Sequence, residues 1–435
     1  METFTKERVK EKEFLIIDRK VYDAKEFAYG DHPGGTIILD YLGADATDTF
    51  QALHPDAAYE TLANYYVGDL DPSVPDADAF TMDIRALNAR LRKQGFYKGP
   101  IPFYIAMHFV TTAIWLLSIW SVYRFGDSLL GVLGSATVLG LFFQQAAWMS
   151  HDFVHRQVSD NNLVNYIGAI IWGELAQGLS RRWWSDKHGR HHSMTNIHAK
   201  DPDIESRPLI AWSEHTLELF AEVPDAELVD LAGKYLYVHQ AIMYLPLLTF
   251  ARILWNTESV IKEYQATAKT KWFNVACLAA YWGWVFALTK FIPSFPMRVL
   301  YVVFSVGMGG QFIAMISSTN HNGTLVLSKE EWEASGMGYY ELQVRTSRDI
   351  TSNWLADWFC GGLNQQITHH LFPRMPRIRF REVAPEVKRI CEKHGVPFHS
   401  TGFVEAQLEI ISRLNQIANT AKKMRSAQGK AAKAQ

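Results

Sequence analysis

Histidine is unevenly spread along this chain. Of its 16 histidines, two sit in "SHDFVH" as His151 and His155, three in "DKHGRHH" as His188, His191 and His192, and two in "NQQITHH" as His369 and His370. Residues three and four apart on a helix share a face. His151 and His155 therefore point one way, and so do His188, His191 and His192. Imidazole is a ligand for iron, copper, zinc and nickel. An isolated pair of histidines at helical spacing is most often a surface pair. Three clusters converging on one side of a set of helices call for another account. With His321 in "STNHNG" the imidazoles number eight, more than one ion takes, so two metal ions are expected. The Glu-x-x-His motif of soluble di-iron bundles is absent, which makes this a nitrogen-rich, carboxylate-poor site.

Apolar segments must carry these clusters. "IPFYIAMHFVTTAIWLLSIWSVY" (101–123) has no charged residue. As a helix it is about 34 Å long, enough to cross a hydrocarbon core of roughly 30 Å. A second run, 129–149, follows after a short polar connection, which forces a helical hairpin. A second pair lies at 272–290 and 298–318. Four such runs in two hairpins are read as membrane spans. The basic residues of 85–98, Arg181, Arg182, Lys187 and the segment from Lys262 to Lys271 all fall on one side. The positive-inside bias makes that side cytosolic, and every histidine cluster lies on it. The apolar stretches 162–179 and 235–255 are interrupted by Glu174, His239, Pro246 and Arg252. They are read as helices lying in the membrane interface.

Bulk composition agrees. Charged residues are 20% of the chain and aromatic residues 13%, with a formal net charge of −2. That balance offers nothing to a nucleic acid. Cys277, Cys360 and Cys391 are far apart and match no zinc spacing, which fits a reducing compartment. The charged N-terminus "METFTKERVKEKEF" is no secretory signal, so membrane insertion is expected to use internal segments.

The chain divides into residues 1–70, a small α+β domain; a Pro- and Asp-rich linker, 71–82; an all-α integral membrane domain with a cytosolic helical cap, 83–410; and a basic, Ala-rich tail, 411–435, expected to fray or be disordered. In the first domain His32 and His54 are each followed by proline. Histidines from opposite walls of one small domain can supply both axial ligands of a haem iron, and Gly34 and Gly35 let a turn pass close to a flat ring. A lone His-Pro is more often an ordinary loop. Here "HPGG", a second histidine 22 residues on, and "LANYYVGDL" together resemble the cytochrome b5 domain. That resemblance implies haem b held by His32 and His54, and single-electron transfer.

The three histidine clusters in order, HxxxH, HxxHH and a last box ending in HH, resemble the membrane fatty acid desaturases and their hydroxylase relatives over residues 100–400. The family implies two non-haem irons, with His151, His155, His188, His191, His192, His369 and His370 as ligands and His321 as an extra ligand at the end of the last span. The last box has Gln366 where a third histidine would stand. With the fused b5 domain, this resembles the front-end desaturases, which place a cis double bond between an existing one and the carboxyl end. Gln366 can offer an amide oxygen or a hydrogen bond to a metal-bound water. "HHSMTNIHAKDPDI" and "GGLN…HHLFPRMPR" fit the same family. Thr368 departs from it, since front-end members more often carry Glu there. His198 is read as an outer neighbour of the site. Arg181 and Arg182, beside Trp183 and Trp184, are candidates for holding an acyl carrier's phosphates, or are plain membrane anchors.

No side chain can break an unactivated C–H bond, so a cofactor and O2 must. The resemblance implies electrons from NADH, an NADH-cytochrome b5 reductase as partner, and an acyl-CoA or phospholipid-bound acyl substrate. It places the chain in the endoplasmic reticulum membrane, among membrane lipid, with the haem domain and catalytic face cytosolic. An acyl hydroxylase or a sphingoid-base desaturase on the same scaffold is an alternative, and so is a membrane-anchored haem electron carrier.

Overall fold

The structure is a computed structural model and describes residues 2–30, 32, 34–222, 235–351 and 353–434. Pro33 of the His-Pro-Gly-Gly turn and the last residue of the tail fall outside that set.

The first domain is built on a four-stranded sheet of β1 (Thr3–Phe4), β2 (Leu15–Ile17), β3 (Lys20–Tyr22) and β4 (Tyr66–Leu70), in the order β1-β4-β3-β2. β1 lies parallel to β4, and β2-β3 and β3-β4 are antiparallel. Successive strand residues point to opposite faces. The run Leu15-Ile16-Ile17 is apolar throughout because both faces are covered: Leu15 and Ile17 enter one buried cluster and Ile16 another. The short helices Lys25–Gly30, Gly35–Tyr41, Thr47–Leu53 and Ala58–Leu62 close the other side. The connector ends sooner than its composition predicts. Asp78 accepts from the Thr81 amide at 2.9 Å and caps a helix that runs Ala79–Lys93, so residues 79–82 are already helical.

Among the described residues, four helices are long and apolar enough to cross a membrane: Ile101–Phe125, Leu129–Val154, Lys271–Phe291 and Phe295–His321. At 1.5 Å per residue the second and fourth are about 39 to 40 Å long, roughly 10 Å beyond a hydrocarbon core. Hydropathy alone ends these two spans at 149 and 318, but the helices continue through "SHDFV" and "STNH". Polar residues extend them because protein, not lipid, surrounds their ends. The second and fourth spans pack on each other and form the inner pair, 56% and 50% buried over their apolar windows. The first and third form the outer pair, at 22% and 33%. The outer pair presents Phe109, Leu116, Trp120, Trp272, Phe273 and Phe286 outward, an apolar surface that suits lipid. Between the inner helices Gly140 faces Met308 and Gly309, the close small-residue contact of membrane helix packing. The "YWGWVF" and "GMGG" segments are packed against neighbouring helices. Trp284 meets Trp115, Phe142 and Phe143, and Gly309 and Gly310 lie against Phe143 and Arg252.

The stretches read as interfacial are helices with exposed apolar faces. Leu163, Val164 and Ile167 project from Asn162–Ala169. Ile242 (82% exposed) projects from Gln240–Leu248, and Ile253 and Leu254 from Ala251–Gln265. The chain closes with Phe380–His394 and Phe403–Ala434, and a short parallel pair, β5 (Asp349–Ile350) and β6 (Ser400–Thr401), ties the cap together. The last helix corrects the expectation of a separate tail. It crosses residue 410 unbroken, and Ile410, Leu414, Ile417 and Ala418 are buried along one side of it. An apolar stripe at helical spacing packs this helix on the cap as far as Ala421.

A Cβ at residue 140 would stand 2.7 Å from the Met308 Cβ. Gly140→Val should therefore separate the inner helices and lower stability by about 1–3 kcal/mol. Heat-induced loss of folded protein in detergent, compared with the parent, measures this.

Candidate metal centre and haem pocket

The helix Arg181–Ser193 carries the middle cluster, and its start is fixed by Ser180. The Ser180 hydroxyl accepts from the Trp183 amide at 3.1 Å and donates to Glu263 at 2.5 Å. His151 lies in the last turn of the second span, and His155 is the residue at its end. His321 ends the fourth span, and His369 and His370 lie on the short helix Gln366–Leu371.

These elements bring the eight histidines into two adjoining sets. His151, His155, His188, His192 and His369 form one, and His191, His321 and His370 the other; donor atoms within each set lie within 4.8 Å of one another. One helix serves both sets. Counting 100° per residue from His188, His192 lands about 40° to one side and His191 about 60° to the other. The sets meet where His192 stacks on His370, with ring centroids 4.2 Å apart. Gln366 joins the three-histidine set. Its Nε2 lies 2.8 Å from the His321 Nε2, and its Oε1 accepts from Asn320 at 3.1 Å.

Buried ring nitrogens test whether metal fits here. The Nε2 atoms of His151, His155, His369 and His370 have no hydrogen-bond partner. Other nitrogens face one another, His188 Nε2 and His192 Nε2 at 3.1 Å and His191 Nε2 and His321 Nε2 at 3.3 Å. Buried polar atoms without partners are costly, and converging lone pairs lack only a cation. Burial pushes His188, His192, His369 and His370 well below the usual imidazole range, with neighbouring imidazoles adding to the effect, and takes His155 down to about 3. All are neutral near pH 7, the form that binds metal. The residues fit two histidine-held metal ions.

A second layer orients the rings. Asp201 meets His191 Nδ1 at 2.9 Å and is fixed by the amides of Asn196 and Asp203 at 2.7 and 2.9 Å. Burial alone would lower His191, but the charges of Asp201 and Asp203 raise it to about 8. Gln343 Oε1 holds His370 Nδ1 at 2.7 Å, and the Thr346 carbonyl accepts from His321 Nδ1 at 3.0 Å. Each contact leaves Nε2 for the centre. Asp201 was visible in sequence only as part of "KDPD"; Gln343 and Thr346 carry no sequence signal. Trp184 stacks on His188 at 4.7 Å. Buried Arg377 pairs with Asp152 at 3.1 Å, tying the end of the second span to the segment after the last box.

The remaining predicted residues lie elsewhere. His198 stacks on His215 and faces Glu205 rather than the clusters, so Asp201 has the neighbouring role expected of it. Arg181 lies over the Tyr166 ring and Arg182 beside Glu263 at 3.5 Å. Thr368 is fully buried and its hydroxyl has no partner; nothing in the structure explains why it is threonine.

In the first domain His32 and His54 face each other with ring centroids 6.0 Å apart. Nδ1 of each is held by a backbone carbonyl, Gly35 at 3.0 Å and Phe50 at 3.2 Å, which leaves Nε2 free on both. Phe50 stacks on His54 at 4.5 Å. A Cβ at Gly34 would meet the His32 ring at 2.7 Å, so glycine there keeps the ring in place. Burial lowers both imidazoles, His54 to about 4 with the His32 charge contributing. Two neutral, opposed imidazoles with free Nε2 atoms suit a bis-histidine haem.

Residues 127–402 match the family described as fatty acid desaturase, and residues 1–71 match the cytochrome b5-like haem/steroid binding domain. The chain is 30% identical to Delta(8)-fatty-acid desaturase 1 of Arabidopsis thaliana, over 94% of this chain and 90% of that protein. It is 29% identical to the Delta(6)-fatty-acid desaturase fat-3 of Caenorhabditis elegans, over 93% and 96%. It is also 29% identical to the acyl-lipid (9-3)-desaturase of Physcomitrium patens, over 94% and 76%.

Asp201→Asn removes the charge that orients His191 and should weaken metal binding by about 10- to 100-fold. Iron retained per chain against a graded chelator, read by elemental mass spectrometry, gives the change.

Proposed function

Because the chain belongs to the fatty acid desaturase family and opens with a cytochrome b5-like domain, we propose that it is a front-end desaturase acting on an unsaturated acyl chain. Residues 1–70 carry haem b between His32 and His54, and residues 83–410 carry the catalytic domain. His151, His155, His188, His192 and His369 hold one non-haem iron. His191, His321 and His370 hold the other, with Gln366 beside it. The observation that carries the reading is the division of eight clustered imidazoles into these two sets, next to a glutamine that meets His321 of the second. The names of the relatives, which include Delta(5), Delta(6) and Delta(8) desaturases, support it.

Bound iron supplies the O2 chemistry that removes hydrogen from an unactivated carbon chain. The balance is one O2, two electrons and two protons, with two hydrogens taken from adjacent carbons, to give a cis alkene and two waters; haem held by His32 and His54 would supply the electrons one at a time. The protein's own part is placement and exclusion. Neutral imidazoles present lone pairs without having to lose a proton first. Asp201, Gln343 and the Thr346 carbonyl hold three rings in register. Burial of the sets keeps bulk water away, so that hydrogen is taken from the chain and not from solvent. The electrons come from NADH through a reductase of the cytochrome b5 type. The substrate is an acyl group on coenzyme A or a phospholipid. The chain resides in the endoplasmic reticulum membrane with both redox domains cytosolic.

Cells expressing the protein and fed a panel of polyunsaturated acids of differing length and double-bond position should yield acids with one further cis double bond on the carboxyl side. Hydroxylated products without a new double bond would sink this reading in favour of a hydroxylase. His188→Ala should abolish product while haem absorbance is unchanged; retained function in that variant would favour a haem carrier instead. Gln366→Leu should lower the iron bound per chain and leave the haem intact, as metal analysis and absorbance together would show.

A further inference from the structure

The first domain is seated on the catalytic face at several points. The Tyr41 hydroxyl donates at 2.8 Å to the carbonyl of Ser193, the residue after His192. Lys200 pairs with Asp40 at 2.5 Å, and Lys329 donates to the Asp40 carbonyl at 3.0 Å. Arg85 grips Asp48 through two bonds, 2.6 and 3.1 Å. Two buried apolar clusters are shared between the domains: Leu15, Ile17 and Tyr41 pack with Met194, Ile197 and Leu342, and Ala52 with Tyr339 and Tyr340. A mobile domain on a tether would make no such set.

One contact joins the two histidine systems directly. Arg374 Nη1 donates at 2.7 Å to the carbonyl of His54. Arg374 stands four residues after His370. The intervening Leu371 and Phe372 are buried, and the Phe372 amide bonds back to the Thr368 carbonyl at 3.0 Å. The Pro373 carbonyl accepts from Gln157 at 2.8 Å, and Gln157 is two residues past His155. The segment that holds His54 is thus braced by the first and third clusters together.

We propose that the haem domain delivers electrons from this docked position and that Arg374 is the positioning residue for it, pinning the His54 side of the haem pocket to the segment that leads back to His370. The inference rests on the reading of His32 and His54 as haem ligands and of the eight histidines as an iron site. In each transfer one electron leaves ferrous haem, which becomes ferric, and one ferric ion of the histidine site becomes ferrous; no bond forms or breaks. Arg374 acts by fixing the separation and orientation over which the electron moves. The Asp40–Lys200 pair does the same at the other end of the domain.

The test uses the full chain carrying haem and ferric iron, without oxygen. A flash-generated reductant delivers one electron to the haem, and the decay of the ferrous haem band reports its onward passage. Arg374→Met should slow that decay by about tenfold or more, as misplacement by about an angstrom does at reacting centres, with haem content, iron content and the reduced spectrum unchanged. Arg374→Lys, which can still donate to the His54 carbonyl, should recover most of the rate. A decay in Arg374→Met equal to the parent's overturns the proposal. If Arg374→Met does not fold, the Asp40–Lys200 pair decides. Asp40→Lys should slow the decay and Asp40→Lys with Lys200→Asp should restore it; a parental rate in the single variant, or no recovery in the double, overturns the proposal. Failure of the parent chain to show a haem band, or absence of bound iron, would be a separate result, against the ligand reading itself.

Discussion

The structure depends on one constraint: eight imidazoles must be held with their nitrogens turned toward one another in a largely buried space. No such arrangement is favourable by itself, because facing lone pairs repel and unpartnered ring nitrogens are costly to bury. It persists here because rigid elements impose it from four directions. Two membrane helices deliver His151, His155 and His321 at their ends, one capped helix brings three rings, and a short buried helix brings two. The outer contacts then remove the last freedom of individual rings. Asp201, Gln343 and a backbone carbonyl each take the Nδ1 atom, so that only Nε2 is left facing inward. A bound cation at each set would turn this cost into a stabilising contribution.

What was legible in the sequence was local. A charge-free apolar run, three histidines at i, i+3 and i+4, and a His-Pro-Gly-Gly turn each carry their meaning within a few residues. The four spans and the histidine clusters follow from them. What was not legible is made by contacts between distant segments. Gln343 meets His370 and Thr346 meets His321 across 27 and 25 residues. Nothing in the local pattern of "YYELQVRT" sets these residues apart. His198 drew attention because it follows the middle cluster, yet the turn that begins there swings Asp201 inward and leaves His198 against His215. The ends of the inner spans were misjudged for a related reason. Hydropathy measures suitability for lipid, and these helix ends are surrounded by protein. The tail shows the same limit, since burial against the cap orders a helix whose composition alone would leave it frayed.

The division of labour between the two histidine sets also has a local origin and a distant consequence. Spacing of three and four along one helix sends His191 to one set and His192 to the other, while the adjacent pair His369 and His370 is split in the same way. Two neighbouring centres are thereby tied to common backbone, and neither can move without the other. Gln366 enters only the smaller set, so the two centres have different surroundings although every histidine in them comes from the same few elements.

The unequal burial of the four membrane helices bears on how the enzyme meets different bilayers. The outer pair is the more exposed, while the inner pair is the more buried and carries three of the clustered histidines, His151, His155 and His321, at its ends. A membrane that thickens or thins acts on the surface it touches, and helices answer such mismatch by tilting. Here that response falls on the first and third spans, neither of which carries one of the clustered histidines. The second and fourth are locked together at Gly140, and the Asp152–Arg377 pair ties the end of the second to the segment after the last histidine box. In this architecture a change in bilayer thickness acts first on helices that carry none of the clustered histidines.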